Sequence, residues 1–127
     1  MELKRIYETY RSDVAFFIVY IREAHAIDSR APIFNGPVVE DPVTLDERRD
    51  VAGKCLNALD LPIPALLDRM DDRVNLAYGG WPDRLYLVGR DGTIAYAGGQ
   101  GPFNFRPAEL EAAIKEELKR IRSGKEQ

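Results

Sequence analysis

The run Val14-Ala-Phe-Phe-Ile-Val-Tyr-Ile21 constrains this chain more than any other segment. Its eight consecutive apolar residues, mostly β-branched or aromatic, suit a strand covered on both faces, as in a parallel sheet. They fall far short of the ~20 residues a membrane-spanning helix needs. Polarity returns abruptly in Arg22-Glu23-Ala24-His25, which predicts that the strand ends there.

Around this strand the other elements read in order. Leu3, Ile6, Tyr7 and Tyr10 form one helical stripe ahead of it. Residues 26–43 hold Pro32, Pro37, Pro42 and the pair Asn35-Gly36, a long irregular connection of the kind that often serves function. Thr44-Leu-Asp-Glu47 matches a capping box, and the helix it opens carries Val51, Ala52, Cys55, Leu56 and Leu59 on one face. A short strand at 63–67 and a short helix over 68–77 follow. Two apolar runs, 84–88 and 93–97, flank Gly89-Arg-Asp-Gly92 as a β-hairpin. Pro107 opens a last helix with Leu110, Ile114, Leu118 and Ile121 on one face.

Composition narrows the function classes. With 127 residues, 45% hydrophobic and 31% charged, the chain reads as one globular domain over 1–127. A net charge of −3 gives no electrostatic reason to expect nucleic acid or an anionic membrane as partner. The N-terminus has no apolar core of signal-peptide length, so the expected location is cytoplasmic. One cysteine, Cys55, excludes an intrachain disulfide, and with the single His25 it falls short of a four-ligand zinc site. No phosphate-binding or dinucleotide-binding glycine loop and no nucleophile elbow is present, and no cofactor or metal is expected.

The order helix, strand, loop, helix, strand, short helix, hairpin, helix matches the C-terminal part of a thioredoxin-like layout. Pro82, just before the first hairpin strand, stands where such folds place a cis-proline, so the Trp81–Pro82 bond is expected to be cis. Three segments carry a closer likeness. Phe17-Ile-Val-Tyr-Ile-Arg-Glu-Ala-His25, Tyr78-Gly-Gly-Trp-Pro-Asp-Arg-Leu-Tyr-Leu-Val88 and Gly98-Gly-Gln-Gly-Pro-Phe103 resemble the signatures of the iodothyronine deiodinase family over roughly residues 3–120.

That resemblance implies an α/β, thioredoxin-like (peroxiredoxin-related) sheet flanked by helices, and reductive removal of iodide from an iodinated phenol. It also implies a selenocysteine or cysteine nucleophile on a loop entering the first helix, preceded by a central strand. Neither that strand nor its loop is in this sequence. The expectation is therefore an N-terminally incomplete domain, inactive as it stands, with Met1 an artefactual start after a selenocysteine codon read as a stop. The four readable strands would leave a gap. A second chain in a homodimer or the segment Pro37-Val-Val39 would fill it, or strand 14–21 would pair directly with 84–88.

By the same resemblance His25, Glu23 and Tyr20 are the catalytic candidates, with His25 handling a proton near the phenol and Glu23 orienting it. On spacing alone, a strand-end histidine reads first as solvated or bonded to backbone. Trp81, Pro82, Arg84 and Gln100 are the substrate-binding candidates, though Trp81 suits simple packing and Arg84 a solvated strand edge equally well. Gln100 stands where relatives often carry a basic residue. The exchange removes a charge-assisted contact with a substrate carboxylate worth ~1.5–3 kcal/mol. Cys55 reads as an inert packed thiol, with a resolving cysteine as the alternative.

The partners expected are a small aromatic, iodinated substrate and a thiol reductant. Two other readings stay open: a non-catalytic thioredoxin-like binding or dimerisation module, and a peroxiredoxin-like peroxidase.

Overall fold

The computed structural model describes residues 2–22 and 42–125, with the side chain of Lys125 excepted. The elements are α1 (Glu2–Tyr10), β1 (Ile18–Tyr20), α2 (Leu45–Leu59), β2 (Ala65–Leu67), α3 (Arg73–Tyr78), β3 (Tyr86–Val88), β4 (Ile94–Ala97) and α4 (Pro107–Lys125). They divide into two compact units, one of residues 1–15 with 83–127 and one of residues 16–82.

The first unit joins α1, the β3–β4 hairpin and α4. The stripe read on α1 turns Ile6 inward until it is fully buried, and Leu110 and Ile114 of α4 and Leu87 of β3 are buried with it in this unit. Burying each such aliphatic side chain is worth about 1.5–3 kcal/mol. A polar clasp ties α1 to α4. The Arg5 guanidinium donates to both carboxylate oxygens of Glu111 at 3.1 and 2.9 Å, and the Tyr10 hydroxyl donates to the same carboxylate at 3.1 Å. The Arg5 guanidinium holds the Glu111 carboxyl down at about 2. Tyr10 is pushed up, first by burial and then by its bond to Glu111.

The hairpin forms as the turn residues predict, with a bulge between Leu87 and Val88 that stretches its connection. Gly89 N–H donates to Thr93 O at 2.7 Å, and Gly92 adopts φ 84°, the left-handed region where glycine meets no Cβ penalty.

In the second unit β1 pairs in parallel with β2, Ile18 opposite Ala65 and Tyr20 opposite Leu67, with α2 as the connecting helix. The Thr44 cap forms as expected, with Glu47 N–H donating to Thr44 Oγ1 at 3.2 Å, while the Glu47 carboxylate reaches back one residue further, to Val43 N–H at 2.8 Å. Val51 and Ala52 on the predicted face of α2 are buried, whereas Leu59 at its end is half exposed.

The expected strand of eight residues, covered on both faces, is corrected. β1 has three residues, and Phe17 and Val19 stand 61% and 37% exposed. The described ladders are two pairs, β1 with β2 and β3 with β4, each within its own unit. A continuous apolar run reports two-sided burial only where a sheet has strands and layers enough to cover both faces, and a two-stranded ladder does not. The segment 37–39, proposed as a gap-filling strand, lies outside the described residues.

The short helix is shorter than the 68–77 expected. It starts only at Arg73, because Asp72 takes a left-handed φ of 58° and Asp68 turns its carboxylate onto the backbone ahead. The Trp81–Pro82 bond is cis, as expected, and Gly101–Pro102 is cis as well. The fold is therefore α/β, with small sheets flanked by helices.

Candidate functional site

Of the three catalytic candidates only Tyr20 falls within the described residues; Glu23 and His25 lie outside them. Tyr20 closes β1 and packs half-buried against Val51 of α2, with its hydroxyl 3.8 Å from Cys55 Sγ. Cys55 is itself partly buried, in keeping with its predicted place on the packed face of α2.

Three side chains that sequence patterns did not single out organise the ground beside Tyr20. Arg48, Asp68 and Asn75 are the buried polar residues among those described, at 3%, 1% and 9% exposure. Asp68 follows β2 directly. Its N–H donates to Tyr20 O at 2.9 Å, extending the pairing to the last residue of β1. Its carboxylate accepts three backbone N–H groups, from Arg69 at 2.8 Å and from Val74 and Asn75 at 2.9 Å each.

These bonds satisfy orphan donors in the first turn of α3, the work Asp72 would do with an ordinary cap geometry. Arg48 backs the turn from α2. Its Nη1 donates to the carbonyls of Asp68 and Arg69 at 3.1 and 2.8 Å, and its Nη2 reaches Asp72 Oδ1 at 3.3 Å. Its Nε has no protein partner among the described residues.

From α3 the order passes to the tryptophan. Asn75 O accepts Gly80 N–H at 3.0 Å, and Asn75 Oδ1 accepts Trp81 N–H at 2.9 Å. A Cβ at Gly80 would stand 3.5 Å from Ile21 Cδ1, so the chain ahead of Trp81 runs close against the end of β1. Trp81 is 42% exposed, and Pro82 is partly buried. Tyr20, Trp81 and Pro82 thus belong to one unit and one connected piece of backbone.

Arg84 and Gln100 belong to the other unit, where they bracket one loop. Arg84 Nε donates to Gly98 O at 2.7 Å, and its guanidinium carbon lies 5.6 Å from the centre of the Tyr86 ring. Gln100 is exposed, and its carbonyl accepts Asn104 N–H at 3.2 Å. The loop needs its glycines. A Cβ at Gly98 would come within 2.9 Å of Leu85 O, and one at Gly101 would overlap the Asp83 carboxylate. Close backbone approach thus explains Gly98, while Gly101 N–H donates to Asp83 O at 3.0 Å and a Cβ there would require the Asp83 side chain to move aside.

A groove of about 550 Å³ between β4 and α4, lined by Ala95, Ala113, Glu116 and Arg120 among others, contains none of the candidate residues. Among the described residues no group of three or more His, Cys, Asp or Glu side chains is arranged to hold a metal ion.

The family model of the iodothyronine deiodinases matches residues 1–118. The type II iodothyronine deiodinase of Petromyzon marinus is 38% identical over 103 residues, 79% of this chain and 35% of that protein. The thyroxine 5-deiodinases of Rattus norvegicus and Homo sapiens are 34% and 33% identical over 107 residues, 84% of this chain and 34% of each of those proteins. This chain therefore spans about a third of the length of the relatives it matches.

The cytoplasmic location expected from the sequence is overturned by these matches, since the deiodinases are membrane-associated proteins. The expectation rested on the missing signal-peptide core at the N-terminus. No helix among the described residues is long and apolar enough to cross a membrane, a criterion that speaks for those helices alone. With the family model covering nearly its whole length and curated relatives above 30% identity, the chain belongs to the iodothyronine deiodinase family.

Proposed function

We propose that this chain carries the substrate-side half of a reductive deiodination site for an iodinated phenol or thyronine. The observation that carries the reading is Trp81: a half-exposed indole fixed through its backbone beside the end of a parallel strand. Ligands of open α/β sheets collect beyond the carboxyl ends of the strands. An indole face there suits stacking with an iodinated ring.

In the net reaction the aryl carbon–iodine bond breaks, the carbon gains a proton, iodide leaves, and two electrons come from a selenol or thiol that a thiol reductant regenerates. The nucleophile is the selenocysteine or cysteine that the family chemistry requires, and it is not a residue of this sequence. Cys55, packed beside Tyr20, does not take that role. Iodide release thus needs a nucleophile beyond these 127 residues.

His25 transfers the proton, Glu23 orients its imidazole, and Tyr20 completes the group from the end of β1. Trp81 and Pro82 form the ring platform, and Arg84 and Gln100 contribute polar contacts. The fold that supports this reading is thioredoxin-like, with β1–α2–β2 as its parallel unit and β3–β4–α4 as its hairpin and closing helix.

The test is iodide release by the enzyme with its selenol or thiol in place, with dithiothreitol as reductant. His25→Ala is expected to lower turnover by about 10²–10⁴-fold, the usual worth of general acid–base help, with stability little changed. Unchanged turnover would remove His25 from the mechanism. An absence of iodide release from thyroxine and from simpler iodophenols would remove the deiodination reading itself.

A further inference from the structure

We propose that Asp68 and Asn75 are positioning residues that set the place of Trp81 for its ligand. The proposal rests on the reading of Trp81 as a ring platform, and it adds the groups that determine that platform's position.

The connection is continuous within one unit. Tyr20 O receives the Asp68 N–H at 2.9 Å. The Asp68 carboxylate receives the Val74 and Asn75 N–H groups at 2.9 Å each. Asn75 then receives two donors from the next turn, Gly80 N–H at its carbonyl at 3.0 Å and Trp81 N–H at Oδ1 at 2.9 Å. Each bond closes a short ring of backbone, so a shift at the strand end carries through to Trp81.

The two side chains are an unusual choice for mere filling. Both are buried, at 1% and 9% exposure, and a buried polar group is tolerated only where its partners are supplied. An apolar residue would fill either space with no such requirement. What the polar atoms add is direction: they accept N–H groups that would otherwise turn to solvent, and so fix six residues of α3 and the turn after it. The surface of α3 shows the contrast. Leu76, the neighbour of Asn75, is 76% exposed and so makes little packing contribution. The helix is held by the Asp68 and Asn75 bonds more than by apolar burial.

Trp81 is the single tryptophan of the chain, so its fluorescence reports this position alone. Asn75→Leu keeps much of the volume and removes the acceptor. It is expected to lower the steady-state anisotropy of Trp81, raise its quenching by acrylamide, and weaken thyroxine binding by about tenfold, the worth of one well-placed hydrogen bond. Asn75→Asp, which retains an acceptor oxygen, is expected to recover most of the anisotropy. Leu76→Ala, in the same helix, is expected to change neither signal.

A folded Asn75→Leu protein with wild-type anisotropy and wild-type binding overturns the proposal. Should the apolar variant fail to fold, amide exchange of the unaltered protein decides. A Trp81 N–H protected as well as the amides of β1 supports the connection, and free exchange refutes it. A wild-type protein that binds no thyroxine defeats the ring-platform reading instead, while anisotropy and exchange still decide what holds Trp81.

Discussion

The two units solve the problem of stability by different chemistry. Among the described residues of the unit 1–15 and 83–127 the buried side chains are aliphatic: Ile6, Leu87, Leu110 and Ile114. Its charged groups sit at the periphery as exposed or half-exposed pairs, such as Arg5 with Glu111 and Arg120 with Glu117. Among the described residues of the unit 16–82, Val51, Ala52 and Ile63 are the buried apolar side chains of the core, and all three described buried polar residues lie there. Aliphatic packing is adaptable and non-directional, so it suits a scaffold. Buried hydrogen-bonded groups are directional and intolerant of error, so they suit a place where one side chain must stand in one position. The difference assigns the positional work to the unit that carries Tyr20 and Trp81.

The largest expected effect breaks the polar side of this comparison. Asp68→Ala leaves three backbone donors without their acceptor and should cost about 3–5 kcal/mol in urea unfolding, while Arg48 keeps its pair with Asp72. Loss of amide protection should centre on residues 68–81. The matching break in the aliphatic unit is Ile114→Ala. At 1% exposure it should cost about 2–4 kcal/mol by the same assay, with the loss of protection centred on α1 and α4. Equal spread of both effects through both units would abolish the distinction.

Acid sharpens it. Arg5 depresses the Glu111 carboxyl from 4.5 to about 2. A carboxyl with a lowered folded-state value adds stability that is complete above its unfolded value and is lost as pH falls through the folded one. The contribution should therefore fade between about pH 4.5 and pH 2. Glu111→Gln should lower neutral stability by a small amount and flatten that part of the acid-unfolding curve by the same amount, both modest because the pair is partly exposed and screened. An unaltered acid limb in the variant would show the clasp contributes nothing. The smallest effect is Thr44→Ala, which removes the capping oxygen of α2 and should cost about 1 kcal/mol.

The sequence made some of this legible and not the rest, for physical reasons. Periodicity found α1, α2 and α4, since an amphipathic stripe is a local property, and Thr44 with Glu47 marked a helix start that forms as read. Asp-Gly in a short loop found the hairpin, but not the bulge at Leu87/Val88, which depends on cross-strand register. The run at 14–21 overstated β1, because apolar composition does not say how many neighbours a strand will find. The motif residues Trp81, Pro82, Arg84 and Gln100 were singled out by likeness to a family, not by any local pattern. Arg48, Asp68 and Asn75 were missed because nothing local distinguishes a buried polar side chain from a solvated one. An aspartate placed directly after an apolar strand was the one available signal.

The most direct test of the account is a thyroxine titration of the protein followed by Trp81 fluorescence. Bound iodine quenches a stacked indole strongly, so the account predicts saturable quenching, displaced by other iodinated phenols and weakened in Asn75→Leu. Quenching that rises linearly without saturation, as it would for free tryptophan in solution, would contradict the claim that this unit presents Trp81 to an iodinated ring.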